Sequence, residues 1–100
     1  MEYIREFLKR FPNSVYTPLV LSLYTIYCGR KEERLKVRRE LVMKYPDTYE
    51  AYISAMHLAD MVGEREDVRS FLREVVEKHP NSLAALGVRK VITEEELEKQ

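Results

Sequence analysis

The chain contains FPNS at 11–14, YPDT at 45–48 and HPNS at 79–82, which are three copies of one short pattern. Each copy begins 34 residues after the one before it, and Gly29 and Gly63 are separated by the same interval. A ring-bearing side chain, a proline, an Asn or Asp and a Ser or Thr recur in the same order. A repeat of about 34 residues is typical of chains that stack two-helix units. The pattern therefore predicts an all-α chain built from repeated helix pairs.

Each copy has the chemistry of a joint between two helices. Proline cannot continue a helix, which predicts that the preceding helix ends near Phe11, Tyr45 and His79. The Asn or Asp and the Ser or Thr after each proline can accept hydrogen bonds from the free amides that start the next helix. Gly29 and Gly63 predict a second, tighter turn at the C-terminal end of the first helix of each unit.

Between these marks the sequence predicts alternating helices in a single domain of 100 residues. The expected helices lie at about 2–11, 15–28, 31–45, 49–62, 64–79 and 83–91. A short last helix begins at Thr93, where Glu96 completes a capping box. In terms of units, 1–11 is a half-repeat helix, 12–45 and 46–79 are complete repeats, and 80–100 is a capping helix with a tail.

A family pattern is visible in the second unit, at Tyr52, Ala55, Met56, Ala59, Val68, Leu72 and Pro80. These residues resemble the tetratricopeptide repeat, whose pattern runs W-x2-L-G-x2-Y, then A-x3-F, then P. The resemblance extends over about 12–91 and is most complete over 49–80. It implies an α-solenoid of antiparallel helix pairs, with two full repeats flanked by half-repeats.

The resemblance also implies a concave surface lined by the first helix of each unit. Partner peptides or helices bind in that groove in proteins of this architecture. The implied function is a non-catalytic scaffold for a protein or peptide partner. The implied contact residues are Tyr16, Leu19, Leu23, Tyr27, Ile53, His57 and Met61.

The first helix of the first unit is apolar on nearly every side. No charged residue occurs from Leu19 to Cys28, whereas a helix with one core-facing side should alternate polar and apolar stripes. Its second face is therefore either covered or a sticky exposed patch. The chain could fold back over this face, or a foreign partner or a second copy of the chain could cover it. The sequence thus favours binding through an apolar groove, with homodimerisation as the alternative.

Two residues of the first unit depart from the family pattern. Arg34 and Arg38 stand where the pattern has Ala and an aromatic residue, one turn apart on one helix face. Burial without a partner would cost several kcal/mol for each guanidinium. Either the helix is rotated so that both arginines reach solvent, or they pair with a carboxylate such as Glu50 or Asp60.

The two ends of the chain predict different surfaces. Arg89, Lys90 and the glutamates of 94–98 would give the last helix the polar outer side that a terminal unit of a stack requires. The first helix instead carries apolar residues that a neighbour should cover, namely Tyr3, Ile4, Phe7, Leu8 and Phe11. We expect either a longer array or another molecule to cover them.

Composition excludes several classes of protein. Lys plus Arg and Asp plus Glu both number 17, so no global attraction to nucleic acid or to an anionic membrane is expected. The longest apolar stretch is too short to span a bilayer, which takes about 18 residues or more. The N-terminus does not have the features of a signal peptide, which favours a cytoplasmic protein, or a periplasmic one if a leader was removed. Cys28 is expected to be a buried structural thiol.

Catalysis and nucleic-acid binding are weaker hypotheses. The one cluster of titratable residues is Glu50, His57, Asp60 and Glu64, and no second helix offers matching ligands. We therefore expect neither an enzyme nor a metal or cofactor. The helix within 30–44 carries a net charge of +4 and could contact phosphates. It has no aromatic residues that would stack on bases, so a solvated outer face is expected instead.

Overall fold

A computed structural model describes residues 2–99 of the chain. Within them it contains helices and no strand, which confirms the prediction of an all-α protein. The helices are α1 (Glu2–Arg10), α2 (Thr17–Tyr27), α3 (Lys31–Lys44), α4 (Tyr49–Ala59), α5 (Glu66–Lys78), α6 (Leu83–Val91) and α7 (Glu94–Glu98). None of these helices has the length and apolar character needed to cross a membrane.

The three proline segments lie between helices and adopt one backbone turn. In each, the amide of the fourth residue donates to the carbonyl of the first at 3.2 Å, as Thr48 does to Tyr45. The φ and ψ angles of Tyr45 are −129° and 52°, and those of His79 are −132° and 60°. The repeated sequence therefore encodes a repeated turn.

The hydroxyls at two of these joints cap the next helix, as predicted. Thr48 Oγ1 accepts from the Ala51 amide at 3.1 Å, and Ser82 Oγ accepts from the Ala85 amide at 3.0 Å. Each hydroxyl also donates to the carbonyl three residues back, at 2.8 and 2.7 Å respectively. Each hydroxyl thus satisfies one helix amide and one loop carbonyl.

The first joint departs from this arrangement. Ser14 Oγ accepts from the Tyr16 amide at 3.1 Å, and α2 begins only at Thr17, not at Val15. Pro18 explains why α2 begins later in the chain than predicted. Proline is tolerated in the first turn of a helix, but further inside its ring clashes with the carbonyl four residues back.

The glycine turns lie in the connections where the sequence predicts them. Gly29 and Gly63 lie in the connections after α2 and α4, yet neither has a positive φ angle. After α4 the chain continues through successive bonds from amide to carbonyl three residues back, as from Met61 to Leu58 and from Val62 to Ala59. These tighter right-handed turns end the helix without a left-handed residue.

The helices pack in chain order. Each helix from α1 to α5 contacts the next one in the chain, α2 and α6 both pack on α4, α3 also contacts α5, and α5 contacts α7. The closest approach joins α4 to α6, because a Cβ on Gly87 would lie 2.5 Å from the Tyr52 carbonyl oxygen. The molecule is elongated, with extents of 41 × 27 × 16 Å.

Two apolar clusters form the interior. The N-terminal core consists of Leu21, Tyr24, Cys28, Val37 and Leu41. The main core consists of Leu35, Val42, Ala51, Ala55, Leu58, Ala59, Val62, Val68, Leu72, Val75, Ala84, Val88 and Leu97. Cys28 is buried, as expected.

The last helix is fastened to α5 by two arginines. Arg73 Nε donates to the Leu97 carbonyl at 2.7 Å, and both Arg69 and Arg73 donate to the carbonyl of Lys99. The Leu97 side chain enters the main core. The outer residues Arg89, Lys90 and Glu94 remain exposed, as predicted.

Candidate partner-binding surface

Helix α2 has two apolar faces, and the fold covers only one of them. The covered face consists of Thr17, Pro18, Leu21, Tyr24, Thr25 and Cys28. The other face, called here the α2 outer face, consists of Tyr16, Leu19, Leu23, Ile26 and Tyr27. The spacing of these five residues places them on one side of a 3.6-residue helix.

All five side chains of the α2 outer face are exposed. The exposed fraction ranges from 37% at Leu23 to 68% at Ile26, and the two tyrosines are more than 60% exposed. The hypothesis that the chain folds back over this face is therefore wrong for the single chain. An uncharged row of large apolar side chains in solvent is typical of an interaction surface.

Helix α4 packs against α2, and the side of α4 that corresponds in sequence to the α2 outer face carries Ile53 and His57. Ile53 is half-buried there and His57 is exposed. Met61 does not join them: it lies in the turn after α4 and packs against the main core. Of the seven predicted contact residues, the structure thus groups four on α2 and two on the neighbouring helix. Ile26, which was not among the seven, belongs to the same row as Leu23, and its spacing from Leu19 is the signal that could have identified it.

Arg34 and Arg38 lie on the inner side of α3, between the two cores. Leu41 belongs to the N-terminal core and Val42 to the main core. At about 100° of rotation per residue, both arginines fall on the strip of helix surface between those two side chains. The arginines therefore separate the two apolar clusters along α3.

The structure shows neither of the arrangements that the sequence suggested for these arginines. Both are half-buried, and Arg34 Nη1 donates to the Cys28 carbonyl at 2.8 Å, at the C-terminal end of α2 where a cation is favourable. Within residues 2–99, no carboxylate lies within 4.0 Å of Arg38, including those of Glu50 and Asp60. The Cys28 carbonyl at the end of α2 thus satisfies Arg34, and the sequence does not indicate this partner.

Burial and charge perturb the titration of this region. Burial, and then the charge of Arg34, lower the pKa of the Arg38 guanidinium. Burial, and then the charge of Arg38, lower the pKa of the His57 imidazole, while Asp60 opposes that shift.

The basic residues of α3 are partly neutralised by carboxylates from the second unit. Arg39 lies 3.8 Å from Asp67, and Arg65 of the second unit bridges Glu32 at 2.7 Å and Asp67 at 2.8 Å. Hydrogen bonds from Arg65 lower the pKa of both carboxyl groups. This network occupies the side of α3 that was considered for nucleic acid.

A cleft of about 340 Å³ opens between α1, α2 and α3. Its lining residues are Arg5, Leu8, Leu21, Tyr24, Glu33, Lys36, Val37 and Glu40. Tyr24 Oη donates to Glu33 Oε1 at 3.3 Å across it. Among the described residues no three His, Cys, Asp or Glu side chains come together so as to hold a metal ion.

Comparison of the chain with protein-family models, with curated proteins and with solved structures finds no match.

Proposed function

We propose that the chain is a protein-interaction module built as a short α-solenoid of helix pairs similar to tetratricopeptide repeats. It binds an apolar helix or peptide of a partner on the α2 outer face and the adjoining side of α4. The exposure of Tyr16, Leu19, Leu23, Ile26 and Tyr27 on an uncharged helix face is the observation that carries this proposal.

Two features support the solenoid part of the proposal. The turn at the proline segments recurs with the same hydrogen bonds at an interval of 34 residues. The helix contacts connect elements that are one or two places apart in chain order, and repeat proteins are characterised by contacts between neighbouring units.

The chemistry of the α2 outer face supports binding as the activity. Leucine, isoleucine and tyrosine side chains gain roughly 1.5–3 kcal/mol each when they pass from water into an apolar contact. Clusters of such anchors, tyrosine above all, dominate the energy of protein interfaces. The face offers no strong acid, base or nucleophile that could carry a reaction.

A pull-down from cells of the source organism with mass spectrometry tests the proposal. Three tagged chains are compared: the wild type, the double variant Leu23→Ser with Tyr27→Glu, and the control Ser70→Glu, which changes an exposed side chain on α5. We expect partners that bind the wild type and the control but not the double variant. Equal capture by the double variant, with helical content unchanged by circular dichroism, would remove the α2 outer face from consideration.

Sedimentation at micromolar concentration distinguishes the foreign partner from homodimerisation. A monomeric wild type supports the proposal. A wild-type dimer that becomes a monomer in the double variant would instead assign the face to a second copy of the chain. The interface of such a dimer pairs the same patch on both subunits.

A further inference from the structure

The cleft between α1, α2 and α3 has a counterpart one unit later in the chain. A shift of 34 residues carries its lining onto α3, α4 and α5, which pack in the same order. The cleft is called here the first junction and its counterpart the second junction. In the second junction Arg39, Val42, Leu58, Asp67 and Phe71 correspond to Arg5, Leu8, Tyr24, Glu33 and Val37 of the first.

The second junction is closed by an ion pair and by apolar packing. Arg39 on α3 lies 3.8 Å from Asp67 on α5. Val42 and Leu58 are completely buried, and the ring of Phe71 packs against the main core. The second junction therefore shows which groups fill this position of the repeat, namely apolar side chains with a ring among them and a carboxylate paired with arginine.

The first junction has the corresponding charges but does not join them. Glu33 accepts a hydrogen bond from the Tyr24 hydroxyl at 3.3 Å, whereas the second junction has Leu58 in place of this tyrosine. Within residues 2–99 no carboxylate lies within 4.0 Å of Arg5. No ion pair thus draws the two walls of the first junction together, and a cleft of about 340 Å³ remains.

The charges that line the cleft favour an anionic ligand. Both acidic residues are engaged, Glu33 by the tyrosine hydroxyl and Glu40 by Lys44, whose Nζ lies 3.5 Å away. The two basic residues, Arg5 on α1 and Lys36 on α3, are exposed and have no carboxylate within 4.0 Å in the described part of the chain. A ligand anion can therefore bind there without breaking an existing ion pair.

We propose that this cleft binds a small molecule in which an aromatic ring carries a carboxylate side chain. The ring packs on the apolar lining of Leu8, Leu21 and Val37, and the carboxylate pairs with Arg5. Arginine binds a carboxylate through two parallel hydrogen bonds, which fix orientation as well as adding affinity. The cleft lies on the covered side of α2, so the inference does not depend on the proposed function.

Two observations support this class of ligand. Phe71 stands at the position that corresponds to Val37, so a ring is compatible with this place in the repeat, and the ligand supplies the ring that the first junction does not have. The volume of about 340 Å³ lies within the range of about 300–1,000 Å³ that is typical of small-molecule sites.

An NMR titration of the isotope-labelled chain tests the assignment. The probes are 3-phenylpropionate, the neutral 3-phenylpropan-1-ol, and acetate, which has the charge but no ring. We expect 3-phenylpropionate to saturate with a dissociation constant of about 1 mM or below and to shift amides of α1, α2 and α3. The alcohol should bind about tenfold more weakly because it offers no charge to Arg5. Acetate should not saturate, because it leaves the apolar lining exposed to water.

Substitutions locate the two parts of the ligand. Arg5→Gln should weaken the binding of 3-phenylpropionate about tenfold and leave the alcohol unchanged, because only the acid uses the charge. Arg30→Gln is the matched control, since it removes an exposed arginine that does not line the cleft. Val37→Phe copies the second junction, so its ring should occupy the cleft and abolish the binding of both ring-bearing probes.

Each contrary result overturns a stated part of the inference. Equal affinity for the acid and the alcohol, or an acid preference that persists in Arg5→Gln, overturns the pairing with Arg5. A folded Val37→Phe chain that still binds 3-phenylpropionate, or an absence of saturation with the wild type, overturns the site. These results leave the α2 outer face untouched, because the pull-down tests that face through Leu23 and Tyr27.

Discussion

Helices α2 and α4 occupy corresponding positions in successive 34-residue units, yet their outer sides differ. Tyr16, Leu19, Leu23, Ile26 and Tyr27 of the first unit correspond to Glu50, Ile53, His57, Asp60 and Met61 of the second. Three apolar residues of the first unit are thus replaced by polar ones in the second. Both helices fold with a buried inner side, so the apolar outer side of α2 is not a requirement of the fold. Under the proposed function, the outer side of α2 differs from that of α4 because it contacts another molecule.

The inner sides of the two helices differ as well, and this difference is structural. Helix α4 buries small residues, Ala51, Ser54, Ala55 and Ala59, and α6 meets it at Gly87. Helix α2 instead buries larger side chains, including Leu21 and Tyr24. Small residues allow the backbones of α4 and α6 to approach closely.

The largest expected effect tests this close approach. Gly87→Val places a Cβ 2.5 Å from the Tyr52 carbonyl oxygen, so α4 and α6 must separate. We expect a loss of about 3 kcal/mol in the free energy of unfolding, measured by urea titration. Gly63→Ala is the matched control, because nothing lies within 4 Å of its new Cβ and the φ angle is not positive. A neutral Gly87→Val would show that the two helices can shift apart freely.

The second prediction tests the difference between the outer sides of α2 and α4. Leu23→His with Ile26→Asp copies the α4 pattern onto α2. Stability should change by no more than about 0.5 kcal/mol, because both positions are exposed. Binding of a partner identified by the pull-down should weaken by at least about tenfold, because two apolar anchors are lost. Isothermal titration calorimetry measures the affinity. If the variant loses as much free energy of unfolding as free energy of binding, Leu23 and Ile26 support the fold and do not serve binding alone.

The third effect compares the proline joints. Thr48→Ala and Ser82→Ala each remove a hydroxyl that caps a helix, and we expect each to cost about 1 kcal/mol. Ser14→Ala should cost less, because Ser14 is not the N-cap of α2 and bonds only to the Tyr16 amide. Chemical denaturation of the three variants gives the ranking. An equal cost at all three positions would show that the first joint is capped in solution as the other two are.

The smallest effect concerns pH. Burial and the charge of Arg38 hold the pKa of His57 below its ordinary value of 6.5, so the folded chain disfavours the protonated imidazole. As the pH falls, the unfolded chain therefore takes up the proton before the folded chain does. The free energy of unfolding that this group contributes above pH 6.5 is lost as the pH falls from there through the pKa of the folded chain. His57→Gln should lessen that loss when urea titrations at neutral and mildly acidic pH are compared. The wild type and the variant would respond alike if the imidazole were fully solvated.

The local features of the fold could be predicted because short-range chemistry decides them. A proline followed by Ser or Thr specifies both the end of one helix and the cap of the next, as Thr48 and Ser82 show. The start of α2 was misplaced because the effect of Pro18 on the first turn was overlooked. The conformation of the glycine turns could not be predicted, because several backbone turns can end a helix and residue type alone does not choose among them.

The candidate site could be predicted only in part, because contacts between helices decide the rest. The exposed row on α2 follows from the uncharged stretch and its spacing. The position of Met61 against the main core depends on where α4 ends, which the sequence placed three residues too late. The bond from Arg34 to the Cys28 carbonyl depends on how the end of α2 meets α3.

The arginine strip on α3 has a further consequence for the internal motions of the chain. The N-terminal core has five buried side chains, and α1 contributes none of them. The main core continues without interruption from α3 to α7. Cooperative opening units follow such boundaries, so the amides of α1 and α2 should exchange with deuterium long before those of α4 and α6. A partner docked on α2 would slow that exchange, and the most readily opened part of the molecule is thus the part that has most to gain from being bound.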